Sequence, residues 1–488
     1  MITKKNIPQN ITSFCLLALM FLSACKTDSG SSTPASPAAA SSATLSVVVH
    51  GDGNVASTPG GIQCGATCQG TFANSTVITL RATSGSSSSF TGWSEGCAGI
   101  GDCRVTIANA TLVRAHFTPI NSAFEGFGNG VTGGQNGTVH TVTTLADSGP
   151  GSLRDALGGS DRIIRFALAG TITLQSTISI IGTNITIDGF SAPSPGITLT
   201  GARGLEIAGS SSWPSARGSN IIIQGLRFRN IQDDGIRIAF NAHDIVVDHN
   251  SFAGSTDGEV DITEGARNVT VSYNMLSNNK GAGASLLSYD AGSVSYHHNI
   301  FYGAQDRNPI VTATTTRGYS TGPAHSDPVA DVRYNIIWKY GVGTYIMSAQ
   351  NSVSTANVVS NLYWADSTLN NPSNVIVRSS YDATARGDAY ITGNVSVHDS
   401  RGCAYAYNSG PCYSFPATNS MNNHVEFGAP IITGPAPNNQ QGRLDEWSKV
   451  KAQAGVITLF PDDANDAAVR SAITIPAIGM YTNLWNIE

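Results

Sequence analysis

Apolar and polar residues alternate along this chain in short runs, and the runs return at a fixed interval. The segments Asn220-Ile-Ile-Ile-Gln-Gly-Leu-Arg-Phe228, Asp244-Ile-Val-Val-Asp-His-Asn-Ser-Phe252 and Asn268-Val-Thr-Val-Ser-Tyr-Asn-Met-Leu276 each begin 24 residues after the last. A fourth copy, Ser293-Val-Ser-Tyr-His-His-Asn-Ile-Phe301, follows with one extra residue, and later copies at Asp331-Val-Arg-Tyr-Asn335 and Asn357-Val-Val-Ser-Asn361 sit behind longer insertions. A period in the twenties belongs to solenoids. Inside each copy the apolar pairs Ile221 and Ile223, Ile245 and Val247, and Val269 and Val271 alternate at period two, and Val, Ile and Tyr dominate. That pattern predicts strands rather than helices. No single coil can bury its own apolar side, so the coils must stack. Asn250, Asn274, Asn299, Asn335 and Asn361 fall at one phase of the repeat, which predicts a column of amides bonded along the stacking axis.

Composition narrows the class. Of 488 residues only 12% are charged, 52 are glycine and the net charge is -6, which suits a long, turn-rich, exported β protein and excludes a helical bundle. The mild acidity argues against nucleic acid as a partner, and it would repel a polyanionic polymer unless a cation stood between them.

Lys4 and Lys5 precede an apolar run from Ile11 to Ala24 that is too short for a comfortable membrane span and ends in Leu22-Ser-Ala-Cys25. Residues 1–24 are therefore read as an export signal. The ending resembles a bacterial lipobox, which implies a lipid on Cys25, loss of Cys15 with the signal, and anchoring to a membrane. Lys26 in place of an aspartate resembles the outer-membrane sorting pattern. Residues 25–43 then read as a flexible Ser/Ala/Pro tether.

Residues 44–118 form a second compositional block with strand-like runs at Leu45–Val49, Thr76–Leu80 and Leu112–Phe117. Its cysteines, Cys64, Cys68, Cys97 and Cys103, are even in number, which in an exported chain favours disulfides. Three connectivities are open, and local pairing is the expectation. The run Phe90-Thr-Gly-Trp-Ser94 resembles the short β repeats appended to bacterial secreted enzymes and adhesins, which implies a spacer or a sugar-binding module. Trp93 is read as core before it is read as a sugar platform.

The long domain, 122–488, opens with Gly126-Phe-Gly-Asn-Gly130 and then Asp147-Ser-Gly-Pro-Gly-Ser-Leu-Arg154. The second motif resembles the pectate lyase superfamily, in which it starts a short helix over the N-terminal end of a right-handed parallel β-helix. Ser152 followed by Asp155 makes a capping box there. The expected fold is therefore all-β, a right-handed parallel β-helix with a small N-terminal β domain.

Candidate chemistry clusters between residues 232 and 309. Alternation turns Val260 and Ile262 inward, so Asp257, Glu259 and Asp261 are expected on the outer face, and Ile236 and Ile238 likewise turn Asp234 outward. With strands about 4.8 Å apart, Asp234, Asp257 and Asp261 would repel one another unless a hard cation such as Ca2+ lay among them. The family resemblance implies the same three residues as calcium ligands. A further aspartate of some members is Gln232 here. Asp233 resembles the paired carboxylates of β-helical hydrolases, but no Gly-His-Gly or Arg-x-Lys element accompanies it.

The resemblance further implies that Lys280 binds a substrate carboxylate and takes part in catalysis. Arg307, in Arg-x-Pro, would remove the proton beside that carboxylate. A second family arginine falls at Thr312, for which Arg317 is the candidate substitute in substrate binding. The implied activity is calcium-dependent β-elimination of polygalacturonate-like chains by a monomer. A non-catalytic glycan-binding or adhesin β-helix and a lyase for methyl-esterified pectin are the rivals. His249, His297 and His298 read as turn residues, Cys403 and Cys412 as a disulfide pair, and Trp447–Ala454 and Asp462–Ala472 as helices packed outside the coils.

Overall fold

The computed structural model describes residues 41–119 and 124–475 apart from breaks at 51–52, 65–67, 85–87, 98–100, 213, 282, 314–328, 349–352, 366–372, 380–385, 397–412, 415–424, 427–439 and 457–459. Cys15, Cys25, Arg317, Cys403 and Cys412 lie outside the described residues, so the anchor, the second arginine and that disulfide stay expectations.

Three long parallel sheets run side by side. Two have nine strands, from Gly170–Leu174 to Val395–Ser396 and from Ile178–Ile180 to Tyr413–Ser414, and the third has eleven, from Thr138–Val142 to Val425–Glu426. Each coil gives one strand to each sheet, as His243–Asp248, Ser251–Ala253 and Val260–Ile262 do in turn. The next coil stacks in register, with Ile245 opposite Val269 and Phe252 opposite Leu276. This is a right-handed parallel β-helix. Its third sheet starts earlier than the sequence pattern suggested, at Thr138.

The core is a set of columns. Ile187, Ile223, Val247, Val271, Tyr296, Val332 and Val358 follow one another across successive strands, and all are fully buried. Phe228 and Phe252 stack at 4.6 Å between ring centres. Burial of such a side chain contributes roughly 1.5–3 kcal/mol, so register is held by every coil and not by one contact.

The asparagine column forms as expected and runs one coil further. Asn250, Asn274, Asn299 and Asn335 each donate a backbone N–H to the side-chain oxygen of the next asparagine, at 2.8 to 2.9 Å, and Asn361 does the same to Asn394. The residue before each is left-handed: His249, Tyr273, His298, Tyr334 and Ser360 have φ between 50° and 58°. That conformation is uncommon for residues with a Cβ, and the buried amides that follow hold it in place. Outside the bend, the rings of His249, Tyr273 and His298 stack at 4.8 Å.

The helix Leu153–Ala156 closes the N-terminal end. Ser152 Oγ accepts from Asp155 N–H at 3.2 Å, while the Asp155 carboxylate accepts from Gly151 N–H at 2.9 Å. The reciprocal bond thus lands one residue earlier than in a regular capping box. Leu153 and Ala156 enter the core. Helices Gln440–Gln453 and Ala464–Ala472 match the expected tail elements, the first starting several residues earlier. Leu444, Trp447, Val450, Val469 and Ile473 pack on Met275, Ile300, Trp338 and Leu362.

The N-terminal block holds a four-stranded and a three-stranded sheet around a core of its own that includes Leu45, Ile78, Leu80 and Trp93. Cysteine pairing is local, Cys64 with Cys68 and Cys97 with Cys103. Trp93 is 5% exposed and donates its indole N–H to Gly101 O at 2.7 Å, so it is core.

Candidate active site

The turns that lead into the second nine-stranded sheet carry the candidate residues. Asp234 precedes the strand Ile236–Ala239, Asp257 precedes and Asp261 sits within Val260–Ile262, and Arg307 precedes Ile310–Ala313. These strands pair through Leu286–Leu287 as Ile236 with Val260, Ile262 with Leu287, and Leu286 with Ile310. Asp234, Asp257, Asp261 and Arg307 therefore come together from three coils, Asp257 and Asp261 sharing one and the coil of Leu286–Leu287 lying between them and Arg307. They line an open cleft of about 360 Å3 together with Arg203, Glu206, Asp233, Arg237, Glu264 and Tyr289.

Negative charge is concentrated there. Carboxylate oxygens of Asp233, Asp234 and Asp257 all lie within 4.8 Å of one another. Asp234 accepts from Gly258 N–H at 2.8 Å and Asp261 from Leu286 N–H at 2.9 Å. Two arginines offset part of the charge: Arg203 is 2.6 Å from Asp233, and Arg307 is 3.2 Å from Asp257 and 3.6 Å from Asp261. Burial, with the charges of Asp257 and Asp233 adding to it against the Gly258 hydrogen bond, pushes the Asp234 carboxyl up to about 7. Burial and the charge of Asp234 also hold Asp261 well above the usual carboxylate range, although Arg307 opposes them.

Glu259 departs from the expectation. It is fully buried, not on the outer face, because the strand begins at Val260 and Glu259 belongs to the preceding turn. Ser255 donates both its N–H, at 3.2 Å, and its hydroxyl to the Glu259 carboxylate, and burial raises that group to about 7. Glu259 braces the turn from inside.

Lys280 is on the expected coil, but its ammonium donates to Asn230 Oδ1 at 2.6 Å and does not line the cleft. Thr312 is buried in the strand Ile310–Ala313. Arg203, Asp233 and Arg237 are cleft residues to which the sequence reading gave no role in the site. Alternation between Ile236 and Ile238 already pointed Arg237 outward; Arg203 lies in a turn with no periodic signal.

The histidines are satisfied by protein groups. His249 is 2.6 Å from Asp248, and His298 is 3.0 Å from both Glu446 and His297. Burial and the neighbouring His298 push His297 down to about 3. Glu125, His297 and His298 also bring three ligand-type atoms within 4.8 Å, though these pairings occupy the rings.

The donor set of the cleft fits calcium. It consists of hard carboxylate oxygens, the ligands Ca2+ prefers, and a Cβ at position 258 would run into the Asp261 carboxylate, so Gly258 keeps the carboxylates' space open. Asp234, Asp257 and Asp261, the three carboxylates expected from the sequence, are the residues that would hold the ion. Were calcium held there, protons would compete with it for Asp234, so its affinity is expected to climb as pH rises through about 7. Calorimetric titration on the acidic and alkaline sides of that value would show it, and an affinity flat with pH would contradict it.

Comparison with known proteins adds kinship. Residues 43–121 match the family described as the divergent InlB B-repeat domain. The chain is 30% identical over 279 residues to a probable pectate lyase C of Aspergillus fumigatus, covering 56% of this chain and 58% of that protein. It is 29% identical over 281 residues to that of Aspergillus terreus, with the same shares. Against pectate lyase 1 of Pectobacterium carotovorum it is 33% identical over 145 residues, 26% of this chain and 38% of that one. The chain thus spans under two thirds of the length of these relatives. Among solved structures, a thermostable pectate lyase gives a TM-score of 0.48 at 16% identity, covering 69% of this chain and 98% of that chain. A pectate lyase from Bacillus sp. N165 solved with trigalacturonate gives 0.43 at 18%, covering 68% and 98%. By its own coils the long domain is a parallel β-helix, over about half of the chain it is similar in sequence to pectate lyases, and the block before it matches the divergent InlB B-repeat domain.

Proposed function

We propose that this chain is a calcium-dependent polysaccharide lyase that cleaves polygalacturonate-like chains by β-elimination. The observation that carries the reading is the convergence of Asp234, Asp257, Asp261 and Arg307 from three neighbouring coils on one open cleft, with the guanidinium 3.2 Å from a carboxylate. An open cleft along a stack of coils admits a linear polymer without requiring its end to enter.

In the reaction the C5 proton is lost, a double bond forms between C4 and C5, and the C4–O bond breaks, the leaving oxygen taking a proton from solvent. Calcium, when bound, would draw in the uronate carboxylate and lower the cost of the charge it gains as C5 is deprotonated. Arg307 is the base of this reading: its ion pairs and the left-handed backbone at φ 55° fix where its side chain starts. A guanidinium gives up its proton only to strong base, so the activity should favour alkaline conditions. Lys280 would contribute by exchanging Asn230 for a uronate carboxylate. Arg237, ion-paired to Glu206 at 3.3 Å and Glu264 at 2.7 Å, fixes the cleft wall on the outward face of its strand.

The substrate is too large to cross a membrane, which suits the lipobox-like Leu22-Ser-Ala-Cys25 and places the enzyme, in this reading, on a tether outside the cell. The 44–118 block would be a spacer between tether and coils.

Excess chelator is expected to abolish formation of the unsaturated product. Asp257→Asn and Asp261→Asn should raise the calcium needed for half activity by at least the ~10–100-fold that loss of a supporting partner costs a metal site. Full turnover in excess chelator would remove calcium from the proposal.

A further inference from the structure

The tightest group of carboxylates in the cleft is not the trio expected from the sequence. Asp233, Asp234 and Asp257 present oxygens within 4.8 Å of one another, whereas Asp261 has one oxygen accepting from Leu286 N–H at 2.9 Å and the other 3.6 Å from Arg307. We infer that Asp233 is a direct ligand of the bound cation, completing a four-carboxylate set with Asp234, Asp257 and Asp261. This inference rests on the calcium reading above.

The geometry arises from the turn. In an extended strand, side chains 233 and 234 would point to opposite faces. The strand starts only at Ile236, however, and residues before it are held by Gln232 N–H to Gly201 O at 3.0 Å and Gly235 N–H to Gly258 O at 3.1 Å. Both carboxylates consequently face the same cleft. Gln232 brings no charge to the site, so the second negative charge of this turn comes from Asp233.

The ion pair with Arg203 does not oppose this role. The Arg203 side chain is 61% exposed, and an exposed pair is weakened by water and salt. A divalent ion among three further carboxylates competes well for the same oxygens. Arg203 would then swing into solvent or toward a polymer carboxylate.

The test is calorimetric titration of Ca2+ into the full chain, with thermal melting as a second readout. Wild type should bind and gain melting temperature with calcium. Asp233→Asn should bind about tenfold more weakly or worse and lose most of that gain. Arg203→Gln should bind no more weakly than wild type, because it only frees Asp233. Asp233 belongs to no core cluster and is one-third exposed at 33%, so folding is not at stake; Asp233→Glu, which keeps the charge, should bind more tightly than Asp233→Asn. Wild-type affinity in Asp233→Asn overturns the inference. So does a matching loss in Asp233→Asn and Arg203→Gln, since Asp233 would then act only through the arginine. Absence of calcium uptake by the wild type is a different failure, that of the calcium reading itself.

Discussion

Arg307→Lys should fold like the wild type and lose all but about a hundredth to a ten-thousandth of its turnover, the range that removal of a positioned acid or base spans. The charge is kept, so the carboxylates around it stay compensated and the cleft should not collapse. What disappears is the planar fork and its reach, which an ammonium on a flexible stem does not reproduce. Arg307 touches Asp257 and Asp261 through its side chain and Asp306 through its backbone N–H. None of these is a core contact, so a stability loss should not confuse the result. Initial-rate formation of the conjugated unsaturated uronate measures the effect, with circular dichroism and polymer binding as controls. A folded Arg307→Lys that works at the wild-type rate would put the base elsewhere.

Most of the fold could be read from the residues because each coil solves the same local problem. Inward apolar pairs, a left-handed bend and a buried asparagine recur at one phase, so a signal weak in one copy is strengthened by the next. The reading failed where phase is lost. The strand Val260–Ile262 is only three residues long, so alternation counted back from Val260 enters the turn and puts Glu259 on the wrong side. Asp233, to which alternation assigned no face, likewise lies in a turn, ahead of the strand Ile236–Ala239. Lys280 sits where expected, yet a lysine stem has freedom that no spacing fixes, and Asn230 captures it.

A second polar column also went unread although its residues open the first four copies of the repeat. Asp161, Asn184, Asn220, Asp244, Asn268 and Ser293 all have φ between 54° and 57°. Asn184 donates to Asp161 at 2.7 Å, Asn220 to Asn184 at 2.8 Å, and Asn268 to Asp244 at 2.9 Å. Asn and Asp are enriched in the left-handed region, so their return at one phase was the available signal. The column breaks between Asn220 and Asp244, where the Asn220 oxygen accepts instead from Thr132 and Gly133 N–H, at 2.8 and 2.9 Å.

The two columns should differ sharply in what they contribute to stability. Asn299 is fully buried. Its oxygen accepts from the backbone and side-chain N–H groups of Asn274 at 2.9 and 3.1 Å, and its amide donates to Val271 O at 2.8 Å and Asn335 Oδ1 at 3.0 Å. Asn299→Ala leaves those neighbours without partners in a dry interior, and each unsatisfied group costs about 1–3 kcal/mol. A loss on the order of 3–6 kcal/mol is expected, a large share of the ~5–15 kcal/mol that holds a typical domain. In the outer column the Asn184 to Asp161 bond is exposed, and water can replace it. Asn184→Gly keeps the left-handed bend available and should cost only about 1 kcal/mol. Urea unfolding followed by circular dichroism gives both values. Similar losses at the two sites would mean that burial does not set the strength of the asparagine column, and that stacking of the coils holds the bends without it.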